Sequence, residues 1–129
     1  EIGAYLGAQL SNTLLFERCF NWTGVLIESN PLNFKELRAS RRTARLVHSA
    51  VCDSDGKIGA TVPIAVEGYA VSGQLALMTK SFIKSYRSLT NNSNIAQVPC
   101  RSLQSILHLP PTQFQRPRLI PEKPYFDFL

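Results

Sequence analysis

The sequence predicts an α/β fold built on a parallel sheet, and two observations carry that prediction. Between residues 8 and 53, helix-type and strand-type patterns alternate with short connections. Such an alternation is typical of parallel strands joined by right-handed crossovers. After residue 53 an apolar period of two indicates an extended strand of hairpin type. We therefore divide the chain into a parallel half (1–53) and a second half (54–129).

The first elements follow from apolar spacing. Apolar residues four apart predict a helix from Ala8 to about Phe20, buried over much of its surface. The run Val25–Ile27 lies between Gly24 and Glu28, and its continuous apolar character predicts a parallel strand covered on both faces.

A second helix and strand complete the parallel half. Asn30 is expected to cap the helix, with Pro31 in its first turn and Phe34 and Leu37 facing inward. The segment Arg45–Asp53 predicts another strand. Since only a loop precedes the first helix, we expect the first strand of the sheet to be missing.

The second half is predicted to be less regular. Period-two spacing indicates a strand over Ile58–Val66, which Pro63 would restrict to a sheet edge. A loop (67–74) and an amphipathic helix (Leu75–Leu89) are expected next. The remaining predicted elements are a short strand (96–100), a short helix capped by Ser102, an irregular proline-rich connection and a strand beginning at residues 125–129.

Composition narrows the function classes. The chain has 129 residues, a net charge of +5 and no apolar run near the roughly 18 residues that span a bilayer, so no membrane segment is expected. Four arginines between 38 and 45 are interpreted as cations at a helix C-terminus, and no nucleic-acid partner is expected. No compartment is predicted, and the cytoplasm is the default.

The three cysteines lack CxxC spacing, so the sequence indicates neither a metal site nor a disulfide framework. We interpret Cys19 and Cys52 as small core residues. Two Asn-x-Ser/Thr triplets, at Asn21 and Asn91, matter only if the protein is secreted.

Two acidic residues and two glycines form the most informative constellation. Glu1 and Glu28 each stand beside the end of a predicted strand, and ligands of open parallel sheets bind at that edge. Gly3 and Gly7 let the backbone approach a ligand closely, and Glu28 could accept hydrogen bonds from both hydroxyls of a ribose. Because Tyr5 stands where the dinucleotide fingerprint has its second glycine, the pattern favours S-adenosyl-L-methionine over a dinucleotide.

The segment "EIGAYLGAQLSNTLLFERCFNWTGVLIESNP" resembles the start of the FkbM-type methyltransferase domain. That family shows acidic-I-G-A-x-x-G, S-N-T, W-x-G and Glu-x-Asn-Pro in this order. "HSAVCDSDG", "GYAVSG" and "VPCRSLQSIL" are similar to later segments of the family. The resemblance implies a Rossmann-like class I methyltransferase fold that binds S-adenosyl-L-methionine and methylates an oxygen.

The resemblance also assigns roles to single residues. It implies that Glu1, Gly3, Ala4 and Gly7 form the cofactor loop, that Glu28 holds the ribose beside Ser29 and Asn30, and that Asp53 approaches the adenine. Tyr69 and Ser72 are the substrate-side candidates. No catalytic base is assigned, since His48 is expected to be a packed histidine and His108 a helix cap.

The family continues with an L-D-x-E-G motif on a fourth strand, directly after the point that Leu129 matches. We therefore expect an incomplete domain, inactive by itself, that would otherwise methylate a hydroxyl on a small molecule or glycan. The alternative is a methyltransferase-like binding or trafficking module without activity. A dinucleotide-dependent oxidoreductase is disfavoured by Tyr5.

Overall fold

The computed structural model describes residues 1–53, 60–66, 71–85 and 94–115. Three predicted features lie wholly or partly outside these ranges: Tyr69, the turn after Asp53 and the strand at 125–129. The helices are α1 (Leu14–Phe20), α2 (Pro31–Ala39), α3 (Lys80–Ser85) and α4 (Leu103–Leu107). The strands are β1 (Val25–Glu28), β2 (Arg45–His48), β3 (Ala50–Cys52), β4 (Thr61–Ala65), β5 (Gly73–Gln74) and β6 (Ile95–Ser102).

The parallel half contains the predicted parallel strand pair, with a helix between the two strands. Strands β1 and β2 pair in parallel, with Leu26 opposite Leu46 and Glu28 opposite His48. Ile2 forms a further parallel bridge to Ile27, on the other side of β1. Ile2 therefore pairs with β1 on the side that β2 does not occupy. A mixed α/β fold with parallel and antiparallel strands is confirmed.

Both faces of the β1–β2 pair are covered, as predicted. Leu26 and Leu46 pack with Phe34 and Leu37 of α2, and Leu37 is fully buried. The alternate residues face the opposite side, where they meet α4 and the segment after it; this cluster is Ile27, Val47, Ile106 and Phe114. The alternation follows from the two-residue period of a strand.

The predicted strand 45–53 divides in two at the buried Ser49. Its hydroxyl donates to the carbonyl oxygen of Pro99 at 3.0 Å, and beyond it the chain leaves β1 and pairs with β6 in parallel. The second sheet has the order β3-β6-β4-β5, with antiparallel pairing of β4 to both of its neighbours. Pro63 lies opposite Gln97, in a part of β4 that β5 does not pair with, so its missing N–H costs no ladder bond there.

The prediction of a long, buried first helix is wrong. Only Leu14–Phe20 is helical, and none of its residues is buried. Leu10 has a positive φ of 62°, so the helix cannot extend from Leu14 back through Leu10 to Ala8. Leu15 and Phe20 remain 59% and 62% exposed because α2 and α4 occupy the two faces of the parallel pair.

The predicted helix over 75–89 is also altered. A 3-10 turn (Leu75–Leu77) and the short helix α3 (Lys80–Ser85) replace it, separated by Met78 and Thr79. Residues 86–89 lie outside the described ranges. The spacing of apolar residues was compatible with one helix, but the Thr79 hydroxyl accepts a hydrogen bond from the Phe82 amide and starts a new helix there.

The interpretation of the cysteines requires correction. Cys52 of β3 and Cys100 of β6 form a disulfide, with 5.9 Å between their Cα atoms. Cys19 is an exposed free thiol on α1 rather than a core residue. Spacing along the chain did not indicate the pair, because the two half-cystines are 48 residues apart and meet only through strand pairing.

Candidate functional site

The glycine loop, residues Gly3–Gly7, is attached to the carboxyl end of β1. The amides of Gly3 and Ala4 both donate to the carbonyl oxygen of Ile27, at 2.9 and 3.0 Å. Ala4 is 1% exposed and packs among the core residues of α2. The loop therefore begins at the sheet edge where ligands of open α/β sheets bind.

The two glycines of the loop serve different purposes. Both have positive φ, 73° at Gly3 and 85° at Gly7. A Cβ at Gly7 would lie 2.6 Å from Leu37 Cδ1 and 2.9 Å from Ser40 Oγ, so this glycine permits close packing on α2. A Cβ at Gly3 would meet nothing within 4 Å. Gly3 thus exposes a loop backbone that a ligand could approach.

Glu28 links the loop to the start of α2. Its carboxylate accepts hydrogen bonds from the Tyr5 amide at 2.8 Å and from the Asn30 amide at 2.7 Å. Burial raises the pKa of Glu28 although the amides of Asn30, Tyr5 and Ser29 and the nearby His48 oppose that rise. Tyr5 reaches this contact with a φ of 51°, a strained conformation that the sequence did not reveal.

Asn30 both caps α2 and holds a neighbouring segment. Its side-chain oxygen accepts from the Leu32 amide at 2.9 Å, which confirms the predicted cap. Its side-chain nitrogen Nδ2 donates to Ser72 Oγ at 2.7 Å. Asn30 is fully buried. The structure therefore joins Ser72, a substrate-side candidate, to the residue beside Glu28.

Glu1 faces the interior of its own loop. Its carboxylate accepts from the Ser11 hydroxyl at 2.9 Å, the Asn12 amide at 3.1 Å and the Thr13 hydroxyl. Burial raises the pKa of Glu1, but these bonds, led by that from Thr13, and the nearby Arg42 outweigh burial and lower it. The carboxylate is thus ionised and already hydrogen-bonded by its own chain.

Arg42 completes this network, which sequence reasoning missed. The side chain is 2% exposed and donates to Glu17 at 2.9 Å, to Ser11 Oγ at 2.8 Å and to the carbonyl oxygen of Gly7. The interpretation of this arginine as a cation at the C-terminus of a helix is wrong, because it lies beyond α2 and pairs with Glu17 of α1. No sequence signal distinguishes it from the exposed Arg41 beside it.

The remaining candidates lie around this core of the site. Ser29 is half-buried, and its carbonyl oxygen lies 3.1 Å from His48 Nε2. His48 also stacks on Phe34, so it is the packed histidine that we predicted. Asp53 is exposed directly after β3. Its approach to an adenine stays a prediction.

Two cavities lie near these residues. One of about 190 Å³ is lined by Glu1 together with Phe16, Trp22 and Arg42, and one of about 400 Å³ is lined by residues of α2 with His48. Neither is lined by Gly3 or Glu28. Within the ranges that the structure describes, no cluster of three His, Cys, Asp or Glu side chains could hold a metal ion.

Glu28 and Gly3 together can serve a nucleoside. A carboxylate has about four acceptor positions, and the amides of Tyr5, Asn30 and Ser29 take up to three of them. These three amides thus account for at most three of the acceptor positions of Glu28, which is 6% exposed, and a ribose hydroxyl could occupy the fourth. The open backbone at Gly3 adds room for the rest of such a ligand. The donor and acceptor groups present thus fit an adenosyl cofactor.

The fold and this site define an α/β protein with a glycine loop and a buried carboxylate at one sheet edge. No protein-family model, curated protein or solved structure matches the chain. In the part of the chain that the structure describes, no helix is both long and apolar enough to cross a membrane.

Proposed function

We propose that this chain forms the cofactor-binding part of an S-adenosylmethionine-dependent methyltransferase of the FkbM type, with a Rossmann-like class I fold. The observation that carries the proposal is the hydrogen bond between the Glu28 carboxylate and the Tyr5 amide. It brings the carboxylate at the end of β1 and the glycine loop together at one edge of the parallel pair. Adenosyl cofactors bind at such an edge.

The chain's own residues would divide the binding work. Glu28 accepts a ribose hydroxyl, and the backbone at Gly3 lies along the aminoacyl part of the cofactor. Asn30 and Ser29 support Glu28, and Asp53 is the candidate for the adenine. S-adenosylmethionine, when bound, supplies an electrophilic methyl group.

The acceptor is proposed to be a hydroxyl on a small molecule or glycan. Ser72 supports a substrate-side role for its segment, because its hydroxyl accepts from the buried Asn30 amide at 2.7 Å. Through Asn30, an acceptor bound near Ser72 would be held at a fixed position relative to Glu28. Positioning of this kind supplies much of the acceleration in a group transfer.

Calorimetric titration of the full-length protein with S-adenosylmethionine tests the proposal. Losing a hydrogen bond to a charged acceptor costs about 1.5–3 kcal/mol, so Glu28→Ala should weaken binding by about 10- to 150-fold. Glu36→Ala removes an exposed carboxylate from α2 and serves as the matched control. Unchanged affinity in a folded Glu28→Ala variant would refute the ribose assignment.

The bonds of Glu1 favour a second candidate, a methyltransferase-like module that binds a partner without catalysis. Ser11, Asn12 and Thr13 already engage its carboxylate, as in a purely structural turn. The same titration separates the two candidates. A folded wild-type protein that gives no heat with either S-adenosylmethionine or its demethylated product would favour the module.

A further inference from the structure

The disulfide carries information about where this protein folds. Cys52 and Cys100 join β3 to β6, two neighbouring strands of the second sheet. Disulfides form and persist in oxidising surroundings, such as the endoplasmic reticulum and the cell exterior, and are rare in the cytosol. Folding in such a compartment makes Asn-x-Ser/Thr triplets relevant.

One such triplet, Asn21-Trp22-Thr23, lies in the turn between α1 and β1. All three residues are exposed, and Trp22 is 63% exposed. Main-chain groups close the turn, because the amides of Asn21 and Trp22 both donate to the carbonyl oxygen of Phe16. The Asn21 side chain is therefore not needed to hold this turn.

The conformation of the turn accounts for an asparagine at position 21 but does not require a threonine at position 23. Asn21 has φ 53° and ψ 34°, a left-handed conformation that asparagine adopts more readily than most residues. Thr23 is exposed and lies outside that conformational requirement. A hydroxyl two residues after the asparagine is what an N-glycosylation acceptor adds.

The position is compatible with the candidate site. Asn21 precedes β1, whereas Glu28 ends it, so they lie at opposite ends of the strand. From Val25 to Glu28 the strand extends about 10 Å at 3.3 Å per residue. A glycan on Asn21 would project from the edge remote from Gly3 and Glu28.

We propose that Asn21 is an N-glycosylation site in a protein that folds in an oxidising compartment. In the transfer, the side-chain nitrogen of Asn21 bonds to the anomeric carbon of an oligosaccharide carried on a lipid diphosphate. The bond from that carbon to the diphosphate oxygen breaks, the lipid diphosphate leaves with the electron pair, and a base of the transferase takes the amide proton. The two thiols lose two electrons and two protons to the disulfide of an oxidoreductase. The proposal does not depend on methyltransferase activity.

The test expresses the full-length protein from its own coding sequence in a eukaryotic cell. Peptide-N-glycosidase F in heavy-oxygen water converts a glycosylated Asn21 to isotopically marked aspartate, which mass spectrometry detects. Thr23→Ala should lose the mark at position 21 completely, and Thr23→Ser should retain it. Both variants keep Asn21, the residue in the left-handed conformation at the end of α1. Asn91→Gln removes any glycan at the second triplet.

Alkylation without reduction tests the compartment in the same sample. We expect a linked peptide containing Cys52 and Cys100, together with the mark at Asn21. An unmarked Asn21 overturns the site assignment even where the disulfide is present. Alkylation of both cysteines without reduction overturns the oxidising compartment.

Discussion

Replacing Arg42 by methionine tests the interpretation of the buried network around the glycine loop. The guanidinium group lies between the carboxylates of Glu17, at 2.9 Å, and Glu1, at 4.0 Å. The three side chains are only 2%, 9% and 8% exposed, for Arg42, Glu17 and Glu1 respectively. Methionine keeps the apolar stem but leaves two buried carboxylates without their cation.

The expected magnitude follows from burial. Removing one partner of a buried ion pair costs about 3–5 kcal/mol, because the remaining charge is left uncompensated. An exposed pair would contribute only about 0–1 kcal/mol. Since domains of this size have unfolding free energies of about 5–15 kcal/mol, Arg42→Met should remove about a fifth or more of the stability. Lysine keeps the charge but not the forked donors of the guanidinium group. The unfolding free energy of Arg42→Lys should therefore lie between those of Arg42→Met and the wild type.

Urea unfolding followed by tryptophan fluorescence measures this loss. Trp22 is the single tryptophan and stacks on Phe16 at 4.9 Å, next to the network. Lys35→Met removes an exposed cation from α2 and should change stability by less than about 0.5 kcal/mol. A double variant with Glu17→Gln should recover part of the loss, since it removes one uncompensated charge. A loss below about 1 kcal/mol in Arg42→Met would refute the reasoning.

Three further predictions concern the glycines, the disulfide and the buried carboxylate. Gly7→Ala should cost about 2–5 kcal/mol from strain and overpacking, but Gly3→Ala only about 1–2 kcal/mol from strain; equal losses in urea unfolding would contradict this order. Replacing Cys52 and Cys100 by serine should cost about 4 kcal/mol for a separation of 48 residues, measured as a lower thermal midpoint than that of the oxidised wild type; an unchanged midpoint would argue against the pairing. Burial raises the pKa of Glu28 above 4.5, so the folded protein binds the proton more tightly than the unfolded chain does. The unfolding free energy of the wild type should therefore rise relative to that of Glu28→Gln as the pH falls from neutral through that pKa to below 4.5. A pH-independent difference between the two unfolding free energies would exclude this linkage.

Features held by near neighbours in the chain could be predicted from the sequence. The caps at Asn30 and Ser102 depend on a side chain accepting from an amide two or three residues later. His108 ends α4, with its Nδ1 2.8 Å from the carbonyl oxygen of Gln104. All of these atoms are brought together by the local backbone, so residue type and spacing suffice to predict them.

Features held by distant partners could not be predicted. Arg42 meets the carbonyl of Gly7 across 35 residues, and Cys52 meets Cys100 across 48. The local sequence around an arginine that follows a helix does not indicate whether its side chain is exposed to solvent or paired with carboxylates. Likewise, the apolar spacing of α1 indicates a possible contact face but not whether an element covers it, and its side chains are in fact unburied.

The glycine loop is held by both local and distant contacts, so the sequence indicated where it lies but not what fixes its geometry. Its start is fixed by the Ile27 carbonyl and its middle by Glu28, both on β1, and its end by Arg42, in the connection between α2 and β2. Its geometry therefore needs no ligand contact to be maintained. Binding to a loop that is already ordered avoids an ordering cost of about 1–2 kcal/mol per residue, so the binding energy of an adenosyl ligand would be available as affinity.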